Sequence, residues 1–226
     1  MTKNEFTEVV RESAGIYLQQ HGYIEMTDCE YQKKTEKGRD RFYFDYMPSK
    51  KNYAVMLSFY PVYMETVWEL YDRRDNDFEG FPCGPYLTPV VISSSARYWK
   101  AKNKTVARES LNITCDAIDK IAFPWLDSLR EPAAFASSLD TYAKVVKAFA
   151  FEHAGDKDKA FAIYEDYYLD AKKGLEEDGI TSSFIRVVAK KYLFVAEKLG
   201  INEPILSEIS EIVKKKQKTG VLQTTF

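Results

Sequence analysis

Histidine and cysteine are the scarcest chemistry-bearing residues in this chain: His21 and His153, then Cys29, Cys83 and Cys115, in 226 residues. With no CxxC and so few imidazoles, neither a disulfide framework nor a Cys/His zinc site can be assembled from their spacing, and no metal site is expected. Glycine and proline are thin too, ten and eight, where average usage would supply about 27 together. Long regular elements follow, and a loop-rich scaffold does not. No run approaches the roughly 18 consecutive apolar residues that cross a bilayer, and the opening MTKNEFTEVVRESAG has no apolar secretory core. The expected location is the cytoplasm, with no membrane partner. An excess of either charge is also lacking: 32 basic against 34 acidic residues leave a formal net charge of -2. Without the basic surplus that neutralises phosphates, nucleic acid is not an expected partner. Gly-rich phosphate loops, HExxH, GxSxG and the dinucleotide fingerprint are all missing, so no cofactor is implied.

What the chain does have is aromatic and branched apolar side chains, densest from Arg39 to Pro61. Arg41 to Met47 and Tyr53 to Phe59 read as two strands joined by the turn composition Pro48, Ser49, Lys50, Lys51, Asn52. Alternation puts Phe42, Phe44 and Tyr46 with Val55, Leu57 and Phe59 on one face, a slab that must be covered. The opposite face carries Tyr43, Asp45, Met56, Ser58 and Tyr60. Before the hairpin, Thr2 and Glu5 have capping-box spacing, and apolar residues recur at helical intervals from Phe6 to Leu18 until Gly22 supplies a stop. That helix is the natural cover for the Phe42 and Leu57 face, because a small sheet cannot stand alone in water. Strand character around Cys29 to Lys34 makes a meander of at least three strands.

Val62 to Tyr71 fits period two and period 3.6 almost equally, and the strand reading is preferred. Asp72 to Pro89, with three prolines and two glycines, is the longest irregular connection. Val90 to Trp99 returns to β-branched character. Beyond Trp99, Ala107, Leu111, Cys115, Ile118, Ala122, Trp125 and Leu129 form a helical stripe that Pro124 should kink or divide. Pro132 opens a short helix through Leu139. Gly179 and Gly200 close later helices, Thr181 or Ser182 caps one between them, and Pro204 sits in the first turn of the last, which runs to about Lys216. The fold class expected is α+β: an N-terminal helix on a small antiparallel sheet (1–100), then an all-helical half (101–226).

Several constellations invite chemistry and have plainer explanations. Asp75, Asp77, Glu79 and Gly80 begin like a calcium loop, but Tyr86 stands where a bidentate Glu belongs. Cys83 has no imidazole or cation placed beside it by sequence to make thiolate. Glu65 and Glu69 would share a face only in a helix. His153 precedes a helix end, where a capping role suffices. The lysines at 100, 102 and 104 with Arg108, and those at 214, 215, 216 and 218, read as solvated helix ends.

Two resemblances can be stated. Ala148, Phe151, Gly155, Ala160 and Tyr164 resemble one tetratricopeptide repeat over about 141–173, though Lys144 and Lys147 replace the expected Trp and Leu and no second copy follows. A lone unit of this kind implies a helical hairpin packed on its neighbours and no superhelical groove. Gly22 and Tyr23 after the first helix, Phe42 and Phe44 in the meander, and Pro124, Trp125 and Leu126 resemble a bacterial domain family of unknown function. That resemblance carries no catalytic residue and implies a binding role, as in immunity proteins of toxin systems. The expected function is therefore recognition of a protein partner without catalysis, in the form of an immunity-type inhibitor, with either the Asp72 to Pro89 loop or the sheet face as the contact, the latter through Tyr43, Asp45, Ser58 and Tyr60 because tyrosine offers large, stiff, amphipathic area. The alternative is an enzyme acting on a small molecule in a cleft between the sheet and the helical half.

Overall fold

The computed structural model describes residues 1–70, 98–139 and 143–218. These form two compact units, one built from 1–62 with 98–130 and the other from 63–70 with 131–139 and 143–218. The helices that follow residue 101 are thus divided between the units.

The first unit opens with α1 (Lys3–Val10), which runs through a π turn (Arg11–Gly15) into α2 (Ile16–Gln20). Thr2 and Glu5 form the reciprocal capping box. At the other end Gly22 takes φ +83°, a conformation that L side chains rarely adopt, and its N–H and that of Tyr23 donate to Gln19 and Leu18 carbonyls at 2.9 and 3.0 Å. Five antiparallel strands follow in simple sequential order: β1 (Ile24–Thr27), β2 (Glu30–Lys34), β3 (Gly38–Met47), β4 (Asn52–Pro61) and the short β5 (Trp99–Lys100). The long hairpin pairs Phe42 with Leu57 and Phe44 with Val55, the register that alternation dictates. All four are buried, each worth about 1.5–3 kcal/mol relative to exposure.

Helices cover this inner face. Phe6 stacks on Tyr46 at 4.5 Å between ring centroids and tilts against Tyr53 at 5.1 Å. The second cover is α4 (Lys104–Ala117), whose Thr114 hydroxyl shares a buried 2.8 Å hydrogen bond with Tyr53. Lys104 and Arg108, two members of the first basic cluster, pair with Glu8 and Glu12 of the opening helix.

Pro124 divides the long helix by a π turn (Ile118–Ala122) between α4 and α5 (Phe123–Ser128), with the Phe123 N–H bonded five residues back to Ile118. A proline ring crowds the carbonyl four residues before it, and one extra residue in the preceding turn relieves that crowding. Beyond the turn Leu126 and Leu129 are buried, 1% and 2% exposed; Leu129 was expected on the stripe, whereas Trp125, also expected there, is half-buried and Leu126 takes its place.

The second unit opens within the 3-10 turn Val62–Met64 and continues with a single helical turn, α3 (Glu65–Trp68). The strand expected over 62–71 is therefore corrected: residues 62–68 are helical, and Met64 and Val67, three apart, are the buried pair. Helices α6 (Pro132–Ser138), α7 (Lys144–His153), α8 (Lys157–Asp178), α9 (Ala189–Lys198) and α10 (Pro204–Lys218) complete it. The helical hairpin expected near 141–173 is α7 and α8, with Asp156 capping the second helix and Gly155 at φ +87° in the turn. Thr181 accepts from the Phe184 N–H at 3.0 Å ahead of α9. The chain is thus α+β: a helix on a five-stranded antiparallel sheet, then a helical C-terminal half.

Candidate functional site

The outer face of the sheet is built by the residues that alternate with the core. Cross-strand pairing lays them in rows: Ile24, Gln32, Arg41 and Ser58 in one, Glu30, Tyr43 and Met56 in the next, Lys34, Arg39 and Tyr60 in a third. Arg39 lies over the Tyr60 ring at 4.8 Å and Arg41 over Tyr43 at 5.5 Å. Glu30 fixes Arg41 by an ion pair of 3.1 Å. Burial pulls the Arg41 guanidinium down, but Tyr60 and Glu30 outweigh it and its pKa rises; burial and the Asp45 charge raise that of Tyr43. Tyr43, Asp45 and Tyr60 are half-buried, whereas Ser58 is 1% exposed and offers no contact area. At the edge, Ile24 is 68% exposed. Register slips between Glu25 and Thr27, leaving Met26 as the extra residue of a bulge, a device that spoils an edge for further strand pairing.

The inner face has a polar end. Continuing the Phe42, Phe44, Tyr46 alternation one step back reaches Asp40, which is 1% exposed. Arg130, just past α5, donates from Nη2 to Asp40 Oδ2 at 2.8 Å, from Nη1 to Thr35 Oγ1 at 3.0 Å and from Nε to Asp127 Oδ1 at 3.0 Å. Tyr23 donates its hydroxyl proton to the same Asp40 Oδ2 at 3.3 Å. The pair is unequal. Burial raises the Asp40 pKa and Arg130 only partly offsets it, while Arg130 itself is raised because Asp40 and Asp127 outweigh its own burial. Around this pair lies a cleft of about 220 Å³, walled by His21, Tyr23, Phe123 and Leu126, with Lys33 and Asp127 at its polar margins. His21 Nδ1 is 2.9 Å from the Tyr17 carbonyl, which places a proton there and leaves Nε2 as the other ring nitrogen.

Other residues singled out by the sequence do not converge. Cys29 is buried with its sulfur 3.4 Å from the Thr7 hydroxyl, and burial raises its pKa. Burial likewise pushes the Cys115 thiol up to about 11, away from thiolate chemistry. His153 stacks flat on Tyr63 at 4.0 Å. Glu65 and Glu69 do fall on helical turns, and both are exposed. Cys83 and the whole Asp72 to Pro89 connection lie outside the described residues. Among the described residues no cluster of three metal-ligating side chains occurs, and no helix is long and apolar enough to cross a membrane.

Comparison with protein-family models, with curated proteins and with solved structures finds no match for this chain. The cleft residues are those the sequence reading missed. Asp40 had a signal: it occupies an inward position of the same period-two series that identified Phe42 and Phe44. Arg130, 90 residues away, had none.

Proposed function

We propose that the chain is a non-catalytic recognition module of the cytoplasm that binds a protein partner through the outer face of its sheet. The observation that carries this reading is the pairing of half-exposed Tyr43 and Tyr60 with Arg41 and Arg39 on that face. Tyrosine and arginine are the residue types that concentrate binding energy at protein interfaces, and here each ring and guanidinium is already held in place, which lowers the ordering cost of binding. Ile24 at the edge adds apolar area. An immunity-type inhibitor of a toxin is the form of this role to which the family resemblance points.

The test is affinity capture from native cytoplasm with the wild-type chain and a Tyr43→Ala/Tyr60→Ala variant. A single stoichiometric partner retained by the first and lost by the second is the expected outcome. Each aromatic anchor should account for about 2 kcal/mol or more of binding, roughly 30-fold in Kd. Failure to recover any stoichiometric protein, or recovery unaffected by the double substitution, would remove the reading.

A further inference from the structure

The cleft at the polar end of the sheet sorts its charged groups into those already spent and those still open, independently of the recognition role. Asp40 is spent: it is 1% exposed, its Oδ2 accepts from Arg130 and Tyr23, and its Oδ1 is sealed from solvent. Asp127 is held by Arg130 Nε and stands 72% exposed, so water and salt screen its charge. The cations differ. A guanidinium has five N–H donors, and Arg130 gives one each to Asp127, Thr35 and Asp40, which leaves one N–H on each terminal nitrogen. Lys33 is half-buried, and its ammonium pairs with no carboxylate among the described residues. Its stem runs along the Gly22 turn, where a Cβ would come within 3.6 Å of Cε, and its ammonium rests over the Tyr23 ring at 5.7 Å. Stem packing and the ring together hold the charge at the cleft.

The cleft therefore presents donors and positive charge. With Asp127 screened, Lys33 and Arg130 against the buried Asp40 leave one positive charge in excess, which matches a monoanion and not a dianion. A half-buried ammonium gains most from an acceptor that is itself charged, since such hydrogen bonds are about twice as strong as neutral ones. The rest of the wall is flat and apolar. Tyr23 and Phe123 lie nearly parallel, 15° between ring planes at 6.0 Å, and His21 packs on Phe123 at 5.0 Å with its Nδ1 committed to the Tyr17 carbonyl. Rings of this kind take another ring by offset stacking. About 220 Å³ is below the roughly 300–1,000 Å³ of sites for drug-sized molecules, so a single ring with a short arm is the fitting size.

We propose that this cleft binds a small aromatic monocarboxylate of the benzoate or phenylacetate class. Its carboxylate pairs with Lys33 and its ring lies against Phe123 and Tyr23, while the spare Arg130 N–H groups add to the positive potential of the pocket. Lys33 makes no ion pair of its own, so replacing it tests binding without dismantling the fold.

The experiment is isothermal titration of the full chain with benzoate and phenylacetate. Four further probes each lack one feature: benzyl alcohol has no charge, benzylamine has the opposite charge, acetate has no ring, and sulfate is a ringless dianion. Saturable binding of at least one aromatic carboxylate at one site per chain is expected, at least ten-fold tighter than any of those four. Lys33→Met should weaken it ten-fold or more, and Lys33→Arg should keep most of the affinity. Absence of saturable aromatic-carboxylate binding overturns the proposal. So does benzyl alcohol, benzylamine, acetate or sulfate binding as tightly as the better carboxylate, or unchanged affinity in Lys33→Met. Should Lys33→Met fail to fold, the comparison among the six probes on the wild-type chain decides alone.

Discussion

Removing the Arg130 guanidinium leaves the Asp40 carboxylate, 1% exposed, with only the Tyr23 hydroxyl as donor. Arg130→Met is therefore expected to cost about 3–5 kcal/mol near neutral pH, the usual result of isolating a buried charge. The sign of its pH dependence follows from the raised pKa of Asp40. A carboxyl that holds its proton more tightly folded than unfolded favours the folded state at low pH and loses that contribution as pH rises through its folded value. The deficit of Arg130→Met relative to wild type should accordingly shrink between pH 7.5 and pH 5, measured by urea unfolding at both. Gly38 presents a different constraint at the same end of β3. A Cβ there would stand 2.5 Å from the Tyr60 carbonyl oxygen and 2.7 Å from the Phe59 ring. Gly38→Ala should destabilise by about 1–3 kcal/mol, as overpacking does, and a lowered urea midpoint would show it.

Elements that stand on local pairing respond to local change. The capping box of α1 is made entirely by Thr2 and Glu5, so Thr2→Ala should cost about 1 kcal/mol and be read as a lower Tm. The hairpin depends on its inner face: Leu57→Ala, 1% exposed opposite Phe42, should cost about 2–5 kcal/mol with a cavity under the opening helix. By contrast the turn at Glu65–Trp68 was ambiguous for a physical reason. Over ten residues, periods of 2 and 3.6 select overlapping positions, and the helical reading needs only the buried pair Met64 and Val67. The π turn before Pro124 is legible in part, since a proline signals interruption but not whether the helix breaks, kinks or gains a residue.

Across the whole molecule, acid reads out opposing carboxylates. Burial works against Glu30, but hydrogen bonds from Arg41 and Gln32 outweigh it and hold its pKa below the ordinary 4.5. Its contribution is present above 4.5 and lost as pH falls through the depressed value, the reverse of Asp40. Arg41→Gln should thus lose about 1–2 kcal/mol at pH 7, and the loss should shrink as acid protonates Glu30; a urea series from pH 7 downward checks it. The outer face and the cleft belong to opposite surfaces of one sheet, so substitutions at Tyr43 and Lys33 should be additive in stability.

The amino-acid order alone determined what depends on spacing. Alternation through Phe42, Phe44, Val55 and Leu57 fixed the hairpin register, and Thr2, Gly22, Gly155, Gly179 and Gly200 marked helix ends through caps and positive φ. These are interactions among residues a few positions apart, where sequence separation and spatial separation coincide. Only the tertiary structure decided that Arg130 would close on Asp40, that Lys33 would pair with no acid among the described residues, and that Ser58 would be buried on the outer face. Each of those outcomes is set by which helix packs on which end of the sheet, a long-range arrangement that leaves no period in the chain.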